Sequence, residues 1–160
     1  MIVNPDLNTV APWEEFIAAK PEDWQEMVAL HDRARRYLEF YRWCGKIKRE
    51  YVGIIRGRII GVFLFEIEPK RPDIDSWIWV IVGDLPSAYI TVDECPTAAA
   101  ALDGYIGAME EWVAAAESGC SVADLIPVNV PATPEWADRL KRRLQFIDRE
   151  ILSDYRDQLS

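Results

Sequence analysis

The stretch from Ser76 to Val92, SWIWVIVGDLPSAYITV, decides the fold, because it has the pattern of two β-strands and the turn that joins them. Trp77 to Val82 are six consecutive large apolar residues. Side chains alternate between the two faces of a strand, so an unbroken apolar run predicts an interior strand that is covered on both faces. Gly83 and Pro86 predict a tight turn, after which Ser87 to Val92 returns as a second strand.

Two more β-rich runs precede this stretch, Glu50 to Ile55 and Ile59 to Ile67, and a short loop centred on Gly57 joins them as a hairpin. Consecutive strands usually pair with each other, so the four runs predict an antiparallel meander in chain order. The expected fold class is α+β, with about four strands and with helices before and after the sheet packed on it. We expect one domain over residues 1–153 and a frayed tail over residues 154–160.

Four helices are predicted from apolar residues that recur every three or four positions. The first spans Asn8 to Ala19, and the second begins at Pro21 as a first-turn proline and ends near Cys44. The third spans Ala98 to Glu117, where Gly104 and Gly107 predict a close approach of the helix to the sheet. Thr133 caps the fourth helix.

The composition is that of a globular protein, with 160 residues, 50% hydrophobic and 28% charged, and with seven tryptophans. No apolar run approaches the roughly 20 residues of a membrane span. The first residues, MIVNPDLN, lack the basic and apolar regions of a secretory signal. We therefore expect a cytoplasmic location and no association with a membrane.

Cys44, Cys95 and Cys120 are three isolated cysteines without CxxC spacing. This pattern argues against a disulfide framework and against a zinc site. We expect all three side chains to be small buried hydrophobic groups.

The net charge of −9 is distributed unevenly. Residues 33–58 carry nine basic and two acidic side chains, a net charge of +7, whereas residues 72–138 carry twelve acidic side chains and no lysine or arginine. One interpretation is that the two segments neutralise each other on the folded surface. The other is that the acidic segment forms a face directed at a basic protein partner.

Most catalytic chemistries find no support in the sequence. The single histidine, His31, lies on the apolar stripe of the second helix, which predicts a core residue with a satisfied hydrogen bond. One histidine excludes a multi-histidine metal site within the chain, and nothing near it has the character of a nucleophile. The sequence contains neither a P-loop nor a glycine-rich dinucleotide fingerprint. We therefore predict no catalytic residue, no metal and no cofactor.

Three carboxylates form the candidate interaction face, Asp84 in the strand-joining turn and Asp93 and Glu94 after the last strand. If they cluster at one end of the sheet, they could share a proton or bind a hard cation, as in a small enzyme or a ligand-binding module. The simpler interpretation is that they form an acidic docking face.

Nucleic-acid binding is disfavoured. The basic segment has aromatic residues interleaved with it, Tyr37, Phe40, Tyr41 and Trp43, which is a pattern typical of single-strand binding. The net charge of −9 opposes this, because it repels the phosphate backbone.

Two segments of the C-terminal half, GDLPSAYI at Gly83 to Ile90 and DLIPVNVPATPEWA at Asp124 to Ala137, resemble a family of uncharacterised bacterial proteins. The resemblance implies a bacterial source and a shared fold. It implies no activity and no site residue.

Small size, strong acidity and the lack of catalytic motifs favour a non-catalytic cytosolic binding protein, such as an inhibitor of the immunity or antitoxin type with an acidic docking face. One alternative is the small enzyme or cation-binding module described above. Another is a structural protein that forms a homodimer through an apolar face of its sheet.

Overall fold

Five antiparallel strands form one sheet in the computed structural model, which describes residues 4–159. The strands lie side by side in chain order, as expected for a meander. The strands are β1 (Ala11–Pro12), β2 (Lys46–Arg56), β3 (Ile60–Glu68), β4 (Trp77–Gly83) and β5 (Leu85–Thr91). The helices are α1 (Trp13–Ala18), α2 (Trp24–Glu39), α3 (Ala98–Ser118) and α4 (Pro134–Glu150), with 3-10 segments at Leu7–Thr9 and Leu152–Gln158.

The α+β class with an antiparallel sheet is confirmed, and the number of strands is five rather than four. The additional strand is β1, whose two residues pair with Val52 and Tyr51 of β2. Both residues fall within the helix predicted over Asn8 to Ala19, in which Pro12 suits the first turn. Proline also suits an edge strand, where a missing N–H group leaves no ladder bond unmade. The helix itself begins one residue later, at Trp13.

Both faces of the sheet are covered by helices, as the apolar run in β4 predicts. Ile78, Val80 and Val82 point into the core that α1 and α2 cover. Trp79 and Ile81 point into the second core, beneath α3 and α4. The indole Nε1 of Trp79 donates a hydrogen bond of 2.6 Å to the backbone carbonyl of Cys95, so its polar atom is satisfied in the interior.

Close packing of α3 on the sheet depends on Gly53 of β2, where a β-bulge also interrupts the register. A Cβ atom at Gly53 would clash with the Cβ atom of Ala98, the first residue of α3. The expectation for Gly107 is wrong, because this residue is exposed and a Cβ atom there would meet nothing within 4 Å. A Cβ atom at Gly104 would lie 3.1 Å from Sγ of Cys95, which follows β5, so this glycine does lie close to a neighbouring segment. The close approach to the sheet itself is made at the start of the helix, by a glycine of the strand.

The helix boundaries follow local capping chemistry. Thr97 and Thr133 cap α3 and α4 as predicted, each accepting a hydrogen bond from a backbone N–H three residues later. α2 begins at Trp24 rather than at Pro21, because Asp23 before it adopts a left-handed conformation with φ of 62°. No helix in residues 4–159 combines the length and the apolar character that crossing a bilayer requires.

Residues 154–158 of the tail predicted to fray belong to the 3-10 segment Leu152–Gln158, and Ser160 lies outside the described residues. Leu152 is buried, and the side-chain oxygen of Gln158 accepts a hydrogen bond of 3.1 Å from the backbone N–H of Ala99. The C-terminal segment therefore caps the start of α3 together with Thr97. Its polar sequence gives no sign of this contact, since both partners come from distant parts of the chain.

Candidate functional site

The three carboxylates predicted as an interaction face lie at opposite ends of β5. Asp84 precedes the strand and forms an ion pair of 3.3 Å with Arg143 of α4. Asp93 and Glu94 follow its other end, about 20 Å away at the usual rise of a strand. The three carboxylates therefore do not lie together at one end of the sheet. No group of three histidine, cysteine or acidic residues within residues 4–159 is arranged to hold a metal ion.

The basic and acidic segments do not neutralise each other by direct ion pairs within residues 4–159. The basic segment pairs instead with acids of β2, β3 and the C-terminal segment, in Arg35–Glu50, Arg49–Glu66 and Arg56–Asp154. Two acids of the acidic segment form ion pairs with bases of α4, in Arg143–Asp84 and Lys141–Glu117. Several bases of the first segment are exposed and form no ion pair within residues 4–159, among them Arg33, Arg36 and Arg42.

His31 is the buried, hydrogen-bonded core residue that the sequence predicts. It is 7% exposed, its ring stacks on Trp13 with centroids 4.3 Å apart, and its Nε2 lies 3.1 Å from Oε1 of Glu50. Nη1 of Arg35 donates to the same oxygen at 2.6 Å. Burial pushes the pKa of Glu50 upward, but the hydrogen bond and charge interaction with His31, together with Arg35, outweigh burial and hold this pKa below its ordinary value.

The Glu50 cluster, comprising Trp13, His31, Arg35 and Glu50, connects the helices of one face to the sheet. The Glu50 carboxylate already forms hydrogen bonds with His31 and Arg35. The rings that surround His31 are aromatic and apolar. The geometry fits a structural role better than proton transfer, because a general base needs a free lone pair directed at a substrate.

The cysteines are all free, as expected, but they are not all buried. Cys44 and Cys95 lie in the two cores, whereas Cys120 is exposed after the end of α3. The exposure of Cys120 has a local cause, because Gly119 ends α3 in a left-handed conformation and Cys120 follows it outside the helix.

One long edge of the sheet is free. β5 pairs with β4 on one side, and on its other side no strand of the described chain pairs with it. Such an edge leaves backbone N–H and C=O groups available for pairing with another chain, and most proteins protect it. At the opposite edge, β1 covers part of β2 and reduces the corresponding exposure.

An aromatic cluster lies beside this free edge, formed by Tyr37, Phe40, Tyr41, Trp43 and Tyr89. The rings of Tyr41 and Trp43 stack with centroids 5.0 Å apart, and Tyr89 meets both of them edge-on at 5.3 and 5.4 Å. Phe40 is 83% exposed, the largest value among the exposed large hydrophobic residues described. The cluster therefore presents rigid apolar surface to solvent at the edge of the sheet.

Local sequence explains how the cluster is built. After α2 the chain forms a turn closed by a hydrogen bond of 3.1 Å from the backbone N–H of Cys44 to the carbonyl of Tyr41. Gly45 then turns the chain into β2 with a φ of 63°, a conformation that favours glycine. Tyr89 joins from β5 because its register opposite Val80 places it on the face that α2 covers.

A groove of about 760 Å³ continues from the aromatic cluster along the start of β5. Its walls are α2, residues 85–87, Trp112 of α3 and the extended segment 122–132; we call it the edge groove. Arg33 is its one charged lining residue and forms no ion pair within residues 4–159. The hydroxyls of Tyr37 and Tyr41, 3.0 Å apart, lie along the same wall.

Burial, together with the hydrogen bond to Tyr41, raises the pKa of the Tyr37 hydroxyl above its usual range, so this group is neutral at physiological pH as an ordinary tyrosine is. The groove therefore combines a positive charge, neutral hydroxyl groups and apolar walls, without an acidic lining residue. An occupant that brings a carboxylate would meet complementary charge there.

The sequence pattern indicated four of the five aromatic residues, Tyr37, Phe40, Tyr41 and Trp43, but as part of a disfavoured nucleic-acid surface. It missed Tyr89 and the edge groove, because the partners come from a distant strand and from the loop after α3. One sequence signal was available for Tyr89. Side chains alternate along a strand, so Tyr89 must lie on the face of the sheet opposite to that of Ile90.

No known family model, curated protein or solved structure matches the chain. The resemblance to bacterial proteins therefore stays a prediction.

Proposed function

We propose that this chain is a non-catalytic cytosolic binding protein that holds a protein partner on the free edge of β5 and on the aromatic cluster. The observation that carries the proposal is Phe40, which is 83% exposed and packs edge-on against Tyr41. Tyr41 in turn meets Tyr89 of β5, whose outer side pairs with no strand within residues 4–159. Exposed apolar patches mark interaction sites, and aromatic residues supply much of the energy at interfaces.

The arrangement of the polar residues supports binding over catalysis. The single histidine, His31, already forms a hydrogen bond with Glu50. The three candidate carboxylates lie at opposite ends of β5. Asp93 and Glu94 are exposed at one end of this strand and form no ion pair within residues 4–159. In this proposal, Asp93 and Glu94 contact a basic residue of the same partner. The predicted acidic docking face is thereby reduced to these two carboxylates. Inhibition of the immunity or antitoxin type is one form that such binding takes.

Site-specific photocrosslinking tests this proposal in the native cells. A benzophenone amino acid replaces Phe40 in one protein and Phe146 in a matched control, since Phe146 is a phenylalanine of α4 that is 41% exposed. We expect a discrete adduct from position 40 that is absent from position 146. Tyr89→Ser should reduce its yield by about fivefold, because interface energy is concentrated in a few aromatic residues.

Equal labelling at both positions, or none at position 40, would contradict the proposal. An adduct of twice the mass of the chain would instead identify a second copy, and would favour the self-associating alternative.

A further inference from the structure

We propose that the partner contributes an extended peptide segment that pairs with β5 as an added strand and places a carboxylate on Arg33. This inference rests on the proposed function and names the kind of partner that the site accepts.

The edge of β5 is open to strand addition over residues 87–91. Pro86 has no N–H group to donate, and its carbonyl already accepts a hydrogen bond of 2.5 Å from the hydroxyl of Tyr105. Beyond Pro86 no backbone group of the described chain pairs with the outer side of the strand. An added strand gains affinity from main-chain hydrogen bonds and specificity from pockets that receive alternate side chains.

Side chains alternate between the two faces of β5, and this alternation determines which side chains the peptide needs on each face. Along β5, Tyr89 lies on the α2 face and Ile90 on the α3 face. Side chains of the added strand that point to the α2 face would meet Tyr89, Trp43 and the exposed ring of Phe40. Apolar or aromatic residues at every second position suit this surface.

Charge complementarity then favours a carboxylate. Arg33 is the one charged residue in the lining of the edge groove, and Arg36 follows one turn later on α2. Both side chains are exposed and unpaired within residues 4–159. Phe40 is four residues beyond Arg36, so the two arginines and the ring share one side of the helix. The surface therefore fits an acidic residue next to an apolar one.

A second copy of the chain is the alternative occupant of this edge, because two-fold pairing of β5 with itself would continue the sheet. Sedimentation distinguishes that arrangement from a bound peptide. A nucleic acid is disfavoured, because the net charge of −9 repels a chain of phosphates more than a single carboxylate.

Selection from a random peptide library tests the inference on the full-length chain. Peptides of about ten residues are displayed and selected, and the enriched ones are measured by fluorescence anisotropy. We expect alternating apolar residues with an Asp or Glu. Arg33→Gln should weaken binding by about fivefold, whereas Lys48→Gln, which removes an exposed base of β2, should leave it unchanged. N-methylation of alternate peptide amides should abolish binding in one register only, since only one set of amides points to β5.

The outcomes separate the inference from the proposed function. Enriched peptides that depend on Phe40 and Tyr89 but tolerate Arg33→Gln and N-methylation would overturn the inference and leave the proposed function standing. Peptides that depend on neither ring, or no enriched peptide, would contradict both. A dimer in sedimentation that Tyr89→Lys dissociates would also overturn the inference, because the edge would then be occupied by a second copy. Thermal melts of each variant establish that it is folded.

Discussion

At the residue scale, the Glu50 cluster is the most consequential polar feature of the interior. Glu50 comes from β2, whereas His31 and Arg35 come from α2 at positions four residues apart, so both reach one carboxylate from the same side of the helix. Removing one member of a buried ionic group leaves the others without a partner, which costs more than the pair itself contributes. The cluster therefore fixes how α2 sits on the sheet.

Glu50→Gln should destabilise the protein by about 2 kcal/mol at pH 7, because hydrogen bonds to a charged group are lost. The folded-state pKa of Glu50 is lowered below its ordinary 4.5, so its contribution is fully present above that value and is lost as the pH falls through the folded-state pKa. Urea unfolding of both proteins at a series of pH values should show the difference shrinking only below about pH 4.5.

The matched control for this experiment is Glu39→Gln, which removes the exposed partner of Arg35 at 3.5 Å. We expect a loss below about 0.5 kcal/mol there, as for other surface pairs on helices. A difference between wild type and Glu50→Gln that is constant from neutral to acid pH would refute the assignment of an ionised Glu50.

At the element scale, the turn from Tyr41 to Gly45 determines where the aromatic cluster lies. It ends α2, presents Tyr41 and Trp43 to Tyr89, and starts β2 at the correct register. The backbone N–H of Lys70 donates a hydrogen bond of 3.0 Å to the carbonyl of Trp43, which attaches the turn to the chain beyond β3. The surface proposed to bind a partner is therefore held by backbone geometry as well as by ring packing.

Gly45→Ala should destabilise the protein by more than about 1 kcal/mol, because the residue has a positive φ and the added Cβ atom would clash with the carbonyl of Glu68. Gly107→Ala is the control from an exposed helix interior with open space around it. That change should stabilise the protein by up to about 1 kcal/mol. Chemical denaturation measures both, and equal effects of the two substitutions would show that the turn tolerates a side chain.

At the scale of the whole molecule, one sheet separates two cores. Leu38 of α2 belongs to one core and Leu144 of α4 to the other, and β3 and β4 contribute side chains to both. Neither helix layer can bury its apolar face without the sheet, and the sheet needs both layers. The two cores are therefore expected to unfold together.

Leu38→Ala and Leu144→Ala should each destabilise the protein by about 2–5 kcal/mol, as large-to-small changes at buried positions do. In both variants, transitions followed by far-UV circular dichroism and by tryptophan fluorescence should coincide. Two separate transitions in either variant would show instead that the layers unfold independently.

The sequence by itself determined the features that depend on local pattern. The apolar run of β4 predicted a strand covered on both faces, the threonine caps of α3 and α4 predicted where those helices begin, and the stripe of α2 placed His31 in the core. These succeed because side-chain period and capping act over a few residues, within one element. Tertiary structure decided the rest. It separated Asp84 from Asp93 and Glu94 along β5, and it joined Tyr89 to the end of α2. It also left Arg33 without an ion pair, and the edge of β5 without a neighbouring strand, within residues 4–159. Each of these outcomes depends on which distant elements become neighbours, and that is settled by packing both faces of the sheet at once rather than by any single stretch of sequence.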